Sequence, residues 1–244
     1  MKTRMCMLSA ALSLVVLAGC SDREAAQAAR AQAQADANAA AAGQAEAAFN
    51  AAVEEENWAL AKAQADVLLA RWPGTDAADR VQASYDEVKS KGDAANEARR
   101  TEALWAYNTE AVKGGNQLSA AIYAKDPLDV DGTGRKPVRL IFRDHPDWGR
   151  SSYLVLQAGD FAQACYRNCR VTVTVDDGTP RRMAAHRPKT EEAIAMFIDD
   201  EKAMWALTRD AKVVQVTFAT RAAGDQTAVF EVAGLDRTKL PGWD

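Results

Sequence analysis

Val171-Thr172-Val173-Thr174-Val175 decides the fold class. β-Branched residues in unbroken succession resist a helix and suit a pleated strand. Their alternation predicts valines turned toward a core and threonines toward water. Asp176-Asp177-Gly178-Thr179-Pro180 follows as a cluster of turn formers, and residues 182–186 then read as the returning strand of a hairpin.

The same grammar holds on both sides of this hairpin. Upstream, 138–142 (Val-Arg-Leu-Ile-Phe) and 152–157 are β-rich; downstream, 194–198, 213–218 and 228–232 continue the set. Lys113-Gly114-Gly115-Asn116 is a turn signal that makes strands of the stretch from Trp105 and of 118–123. Leu104-Trp105-Ala106-Tyr107 is compatible with a helix end, and the turn favours a strand there. Asp199-Asp200-Glu201 suits the start of a short helix through Met204, Trp205 and Leu207, because carboxylates satisfy free amides at the positive end of the dipole. Short loops and alternation predict an antiparallel, sandwich-like sheet domain over 103–244 with one short helix packed on it. The order of features, Trp105-Ala106-Tyr107, a cysteine pair before the Val/Thr strand, Asp-Asp-Gly, a Trp-bearing helix and Phe230-Glu231-Val232-Ala233-Gly234-Leu235, resembles small periplasmic sheet domains of proteobacterial exported proteins, including ones associated with secretion or invasion loci. The resemblance transfers no catalytic residue.

Residues 45–102 read as helical. Phe49 and Val53 share a face; Trp58, Leu60, Val67, Leu68, Leu69 and Trp72 follow; Pro73-Gly74 ends the run and Asp76 is placed to cap the next helix. Lys91-Gly92-Asp93 reads as a break. Asn57-Trp58, Ala61, Ala65 and Arg71-Trp72-Pro73-Gly74 make this region resemble one tetratricopeptide-type helix pair. A binding superhelix needs about three such units, so a spacer or small packing bundle is expected ahead of a partner-binding array. Residues 20–44 are alanine-rich, with little side chain to bury, and read as a tether, either a solvent-exposed helix or a frayed one.

Lys2 and Arg4 precede an apolar run that is shorter than the ~20 residues needed to span a bilayer, the layout of a secretory signal over 1–19. Leu17-Ala18-Gly19-Cys20 resembles the lipobox of bacterial lipoproteins. That resemblance implies cleavage before Cys20, a diacylglycerol on its thiol and an acylated amine, and several acyl chains on one residue give stable anchoring. Ser21 in place of Asp after the lipidated cysteine implies carriage to the outer membrane, with the chain facing the periplasm.

Loss of 1–19 leaves 28 basic against 34 acidic residues. No basic patch interleaved with aromatics points to nucleic acid. Cys6 goes with the signal and Cys20 to the lipid, leaving Cys165 and Cys169 in an oxidising compartment, where a disulfide is expected. Zinc held with His145 and His186 is the alternative; neither the spacing of the cysteines nor that of the histidines matches a known zinc pattern. Asp126, Asp129, Asp131 and Gly132 hint at a calcium loop, but Pro127 and Val138 fall where ligands are needed, so a polar hairpin loop is expected. Ser151-Ser152 beside His145 is adjacency, not a triad. Trp148, in a turn, reads as an aromatic folded back on the core.

No catalytic residue, metal site or cofactor is called for. One basic run, Arg181, Arg182, His186, Arg187 and Lys189, is the candidate surface for an anion or partner. The expected function is a lipid-anchored periplasmic binding or scaffolding module. Its partners are the membrane, through the lipid, and an envelope protein or the cell wall. A cell-wall or sugar-directed envelope hydrolase, or an inhibitor of one, is the alternative.

Overall fold

A computed structural model describes residues 18–162, 169–188 and 194–244, with the side chains of 18–22 outside the description. The chain divides into two compact units, one up to Ala95 and one from Asn96 to Asp244. The class is α+β, helices first and then a nine-stranded antiparallel sheet.

Three helices open the chain: α1 (Ala18–Glu54), α2 (Trp58–Arg71) and α3 (Asp76–Glu102). The alanine-rich segment is helix throughout and exposed from residue 23 to 40, which fits alanine's propensity and its lack of buriable side chain. Packing begins at Ala42 and gathers Phe49, Ala61, Ala65, Leu68, Val81 and Val88 into one cluster. Asn57 caps α2 by accepting from the Leu60 N–H at 3.3 Å. The cap of α3 comes from Thr75, not Asp76: its hydroxyl accepts from the Ala78 N–H at 3.3 Å and donates to the Trp72 carbonyl at 2.9 Å. Asp76 and Asp79 instead occupy the first turn, where they complement the dipole.

The expected break at Gly92 does not occur, and α3 runs through it. A Cβ there would lie 2.6 Å from Lys62 Cβ and 2.8 Å from the Trp58 carbonyl oxygen of α2. Gly92 is therefore a site of close helix approach, which a sequence pattern cannot tell from a breaker.

The second unit holds β1 (Trp105–Val112), β2 (Gly115–Tyr123), β3 (Val138–His145), β4 (Gly149–Leu156), β5 (Cys169–Val175), β6 (Arg181–His186), β7 (Ile194–Ile198), β8 (Val213–Thr220) and β9 (Gly224–Glu231), with α4 (Glu201–Leu207) between β7 and β8. Their order is β1-β2-β3-β4-β7-β6-β5-β8-β9. Both halves feed one core: Leu140, Phe142 and Leu154 from one side join Val214, Val216 and Phe230 from the other. Lys125, just past β2, donates its N–H to the Val229 carbonyl of β9 at 2.7 Å, so the halves meet at that corner in a sandwich-like arrangement.

Asp200 caps α4 by accepting from the Ala203 N–H at 2.9 Å, and Met204 and Trp205 bury against the sheet. The Phe142 ring meets Trp205 and Trp243 edge-on at 5.0 and 5.5 Å. Inward positions of β3 and β4 are thus mostly apolar, with Ser152 the buried polar exception, and the outward positions of β3, β4 and β7 carry the cations and rings.

Candidate functional site

Antiparallel register places side chains of successive strands in rows. One outward row reads Ala121, Ile141, Tyr153, Phe197 and His186, from β2 through β3, β4 and β7 to β6. The neighbouring outward positions of β3 are cations: Arg143 pairs between Ser119 and Ser151, and Arg139 between Tyr123 and Val155. The rings stack along the row, Tyr153 on Phe197 at 4.7 Å and Phe197 on His186 at 5.5 Å between centroids.

Arg143 is held among aromatics. Its guanidinium carbon lies 5.3 Å from the centroids of Trp148 and Tyr153 and 5.9 Å from that of Phe197. Arg139 lies 5.8 Å from the Tyr123 ring. Such cation–π contacts are worth about 0.5–2 kcal/mol each, depending on desolvation. They also leave the in-plane N–H groups of the guanidinium directed to other partners. The Nε atoms of both arginines are buried without a hydrogen-bond partner among the described residues. Burial raises the Tyr153 phenol above its ordinary range, and the adjacent Arg143 and Arg139 charges act in the opposite direction.

Trp148 corrects an expectation. It does not fold back on the core: it is 70% exposed at the tip of the β3–β4 hairpin, against 51% for Tyr123. One face stacks on His145 at 3.9 Å. His145 is buried, and its Nδ1 accepts the N–H groups of Asp147 and Trp148 at 3.1 and 3.3 Å, which puts the proton of the neutral ring on Nε2. This histidine shapes the turn that presents the tryptophan.

The basic run divides between several environments. Arg182 points outward opposite Thr172, on the same face as Arg170 of β5, whereas Arg181 is opposite Val173 on the inward side. His186 Nδ1 is 2.5 Å from Asp199 Oδ1. Arg187 forms an ion pair with Asp160 at 2.9 Å. Lys189 and Cys165 lie outside the described residues; Cys169 is buried at the start of β5, opposite Ala185. Cys20 lies in the α1 backbone, with its side chain outside the description. In the aspartate-rich loop, Asp129 accepts from the Gly132 N–H at 2.7 Å, and Asp131 accepts from the N–H and hydroxyl of Thr133 at 3.0 and 2.7 Å. Those carboxylates form Asx turns that close a polar loop between Leu128 and Lys136.

Among the described residues, no helix is long and apolar enough to cross a membrane. No protein-family model matches the chain, and no curated protein does. A solved structure, that of invasion associated protein B from Bartonella henselae, aligns over 55% of this chain and 87% of its own, at 16% identity and a TM-score of 0.37.

Proposed function

We propose that this chain is a lipoprotein anchored through Cys20 to the periplasmic face of the outer membrane, and that its sheet domain docks an envelope partner, protein or cell wall, on the outward face of β3, β4 and β7. The observation that carries the reading is the stacked Tyr153–Phe197–His186 row with Arg143 held between it and exposed Trp148. Trp, Tyr and Arg are the residue types that concentrate binding energy at interfaces. Rings that stack on one another and clamp an arginine are already ordered, so docking loses less side-chain entropy than it would on lysines. Leu17-Ala18-Gly19-Cys20 supports the anchor and Ser21 the outer membrane.

The test places a photoreactive amino acid at Trp148 in cells making the lipidated protein. A discrete crosslinked product is expected there and not at Asp177, in the β5–β6 turn, and Arg143→Ala reduces its yield. Equal yields at both positions would refute the docking face. Independently, Cys20→Ala is expected to release the chain to the soluble fraction. On a density gradient Ser21→Asp shifts it toward inner-membrane markers; wild type already found there would refute the sorting.

A further inference from the structure

The inward positions of β6 are Arg181, Met183 and Ala185. The last two are buried in the core, and a cation holds the first. Arg181 lies opposite Val173. Beside it Val173, Val175, Thr179, Pro180 and Leu207 of α4 line a cavity of about 430 Å³ at the mouth of the core. Val173 is buried and Val175 and Leu207 pack against the core cluster, while Thr179, Pro180 and Arg181 form the exposed rim. The Arg181 guanidinium is the one charged group on that lining and has no ion-pair partner among the described residues.

The size falls in the range of small-molecule sites, about 300–1,000 Å³, and such sites combine apolar walls with a few placed polar groups. An arginine whose stem lies along apolar surface keeps its donor fork at the rim. That fork matches a carboxylate in a bidentate, charge-assisted hydrogen bond. Apolar walls and one cation at the mouth select a ligand with an aliphatic body and one anionic end.

We propose that this cavity binds an aliphatic monocarboxylate, its chain against Val173, Val175 and Leu207 and its carboxylate on Arg181. The site is on the inward side of the sheet and does not depend on the docking face.

The test uses the full chain carrying Cys20→Ala, so that no acyl anchor competes, with dodecanoate and dodecanol as probes below their micellar concentrations. Methyl resonances of Val173, Val175 and Leu207 are followed together with calorimetric affinity. Dodecanoate is expected to shift those methyls and to bind about ten-fold or more tightly than dodecanol. Arg181→Ala is expected to remove that advantage and to leave dodecanol binding unchanged. Arg182→Ala, one residue away on the opposite face, retains the wild-type preference. Dodecanoate that leaves the three methyls unmoved, binds no better than dodecanol, or is weakened as much by Arg182→Ala as by Arg181→Ala overturns the proposal.

Discussion

Gly43→Ala and Gly92→Ala make the same chemical change inside two helices and are expected to move stability in opposite directions. Replacing a helical glycine by alanine removes backbone entropy from the unfolded chain, a gain of about 1 kcal/mol. A Cβ at Gly43 in α1 meets no heavy atom within 4 Å, so that variant keeps the full gain. A Cβ at Gly92 lies 2.6 Å from Lys62 Cβ and 2.8 Å from the Trp58 carbonyl oxygen, roughly an ångström inside the ~3.5–4.0 Å at which such atoms rest. Neither neighbour is the loose end of a side chain, so α2 itself has to move. Overpacking of that kind costs about 1–3 kcal/mol, which exceeds the propensity gain. The net expectation for Gly92→Ala is a loss of about 1 kcal/mol, some 2 kcal/mol below Gly43→Ala. Urea titrations followed by far-ultraviolet circular dichroism read this as midpoints displaced in opposite senses at unchanged slope. A Gly92→Ala midpoint raised to match that of Gly43→Ala would refute the close-approach account and restore the reading of Gly92 as a weak point of the helix.

Phe142→Ala empties the space between Trp105, Trp205 and Trp243, and a loss of about 3–5 kcal/mol is expected in the sheet unit's unfolding. A loss below about 1 kcal/mol would mean the ring cluster is not the centre of that core. The Asp244 carboxyl is held down at about 2 by hydrogen bonds from Arg237 and then from the Trp205 indole, with Arg209 adding its charge. A depressed carboxyl stabilises above its ordinary range and loses that contribution as pH falls toward the folded value. The thermal advantage of wild type over Asp244→Asn is therefore expected to be complete near neutral pH and to vanish between about pH 4 and pH 2; an advantage that persists at the acid end would refute the clamp. The unreduced peptide containing Cys165 and Cys169 is expected to be lighter by a pair of hydrogens than after reduction, and free thiols at both positions in freshly isolated protein would refute the disulfide.

Strand positions were legible because one rule governs them. The Val/Thr alternation of β5, the turn at Asp176 and the apolar runs of β3 and β7 are local signals, and each leads to the strand it names. Glycine was legible only where it makes a turn. Gly92 serves a helix approach between residues thirty apart in sequence, so nothing near it in the chain discloses its role. The cation–aromatic face of β3, β4 and β7 is not legible as a run of consecutive basic residues, because a strand presents every second residue to one face. Val138-Arg139-Leu140-Ile141-Phe142-Arg143 already contains the answer: its even positions are the core, and its odd positions set Arg139 and Arg143 on either side of Ile141 on the other face.

The same parity argument explains why Arg181 and Arg182, adjacent in sequence, belong to different chemistry. Arg182 stands outward across from Thr172 and extends the exposed cationic surface toward Arg170. Its neighbour stands on the inward side, an exposed cation at the rim of a cavity lined by Val173, Val175 and Leu207. A one-residue slip of β6 against β5 would exchange the two, and it would also turn Met183 and Ala185 out of the core. The loss of that apolar burial is what pins the register. The core-facing pattern of a strand with only two buried side chains therefore decides which arginine stands on the outward face and which lines the cavity.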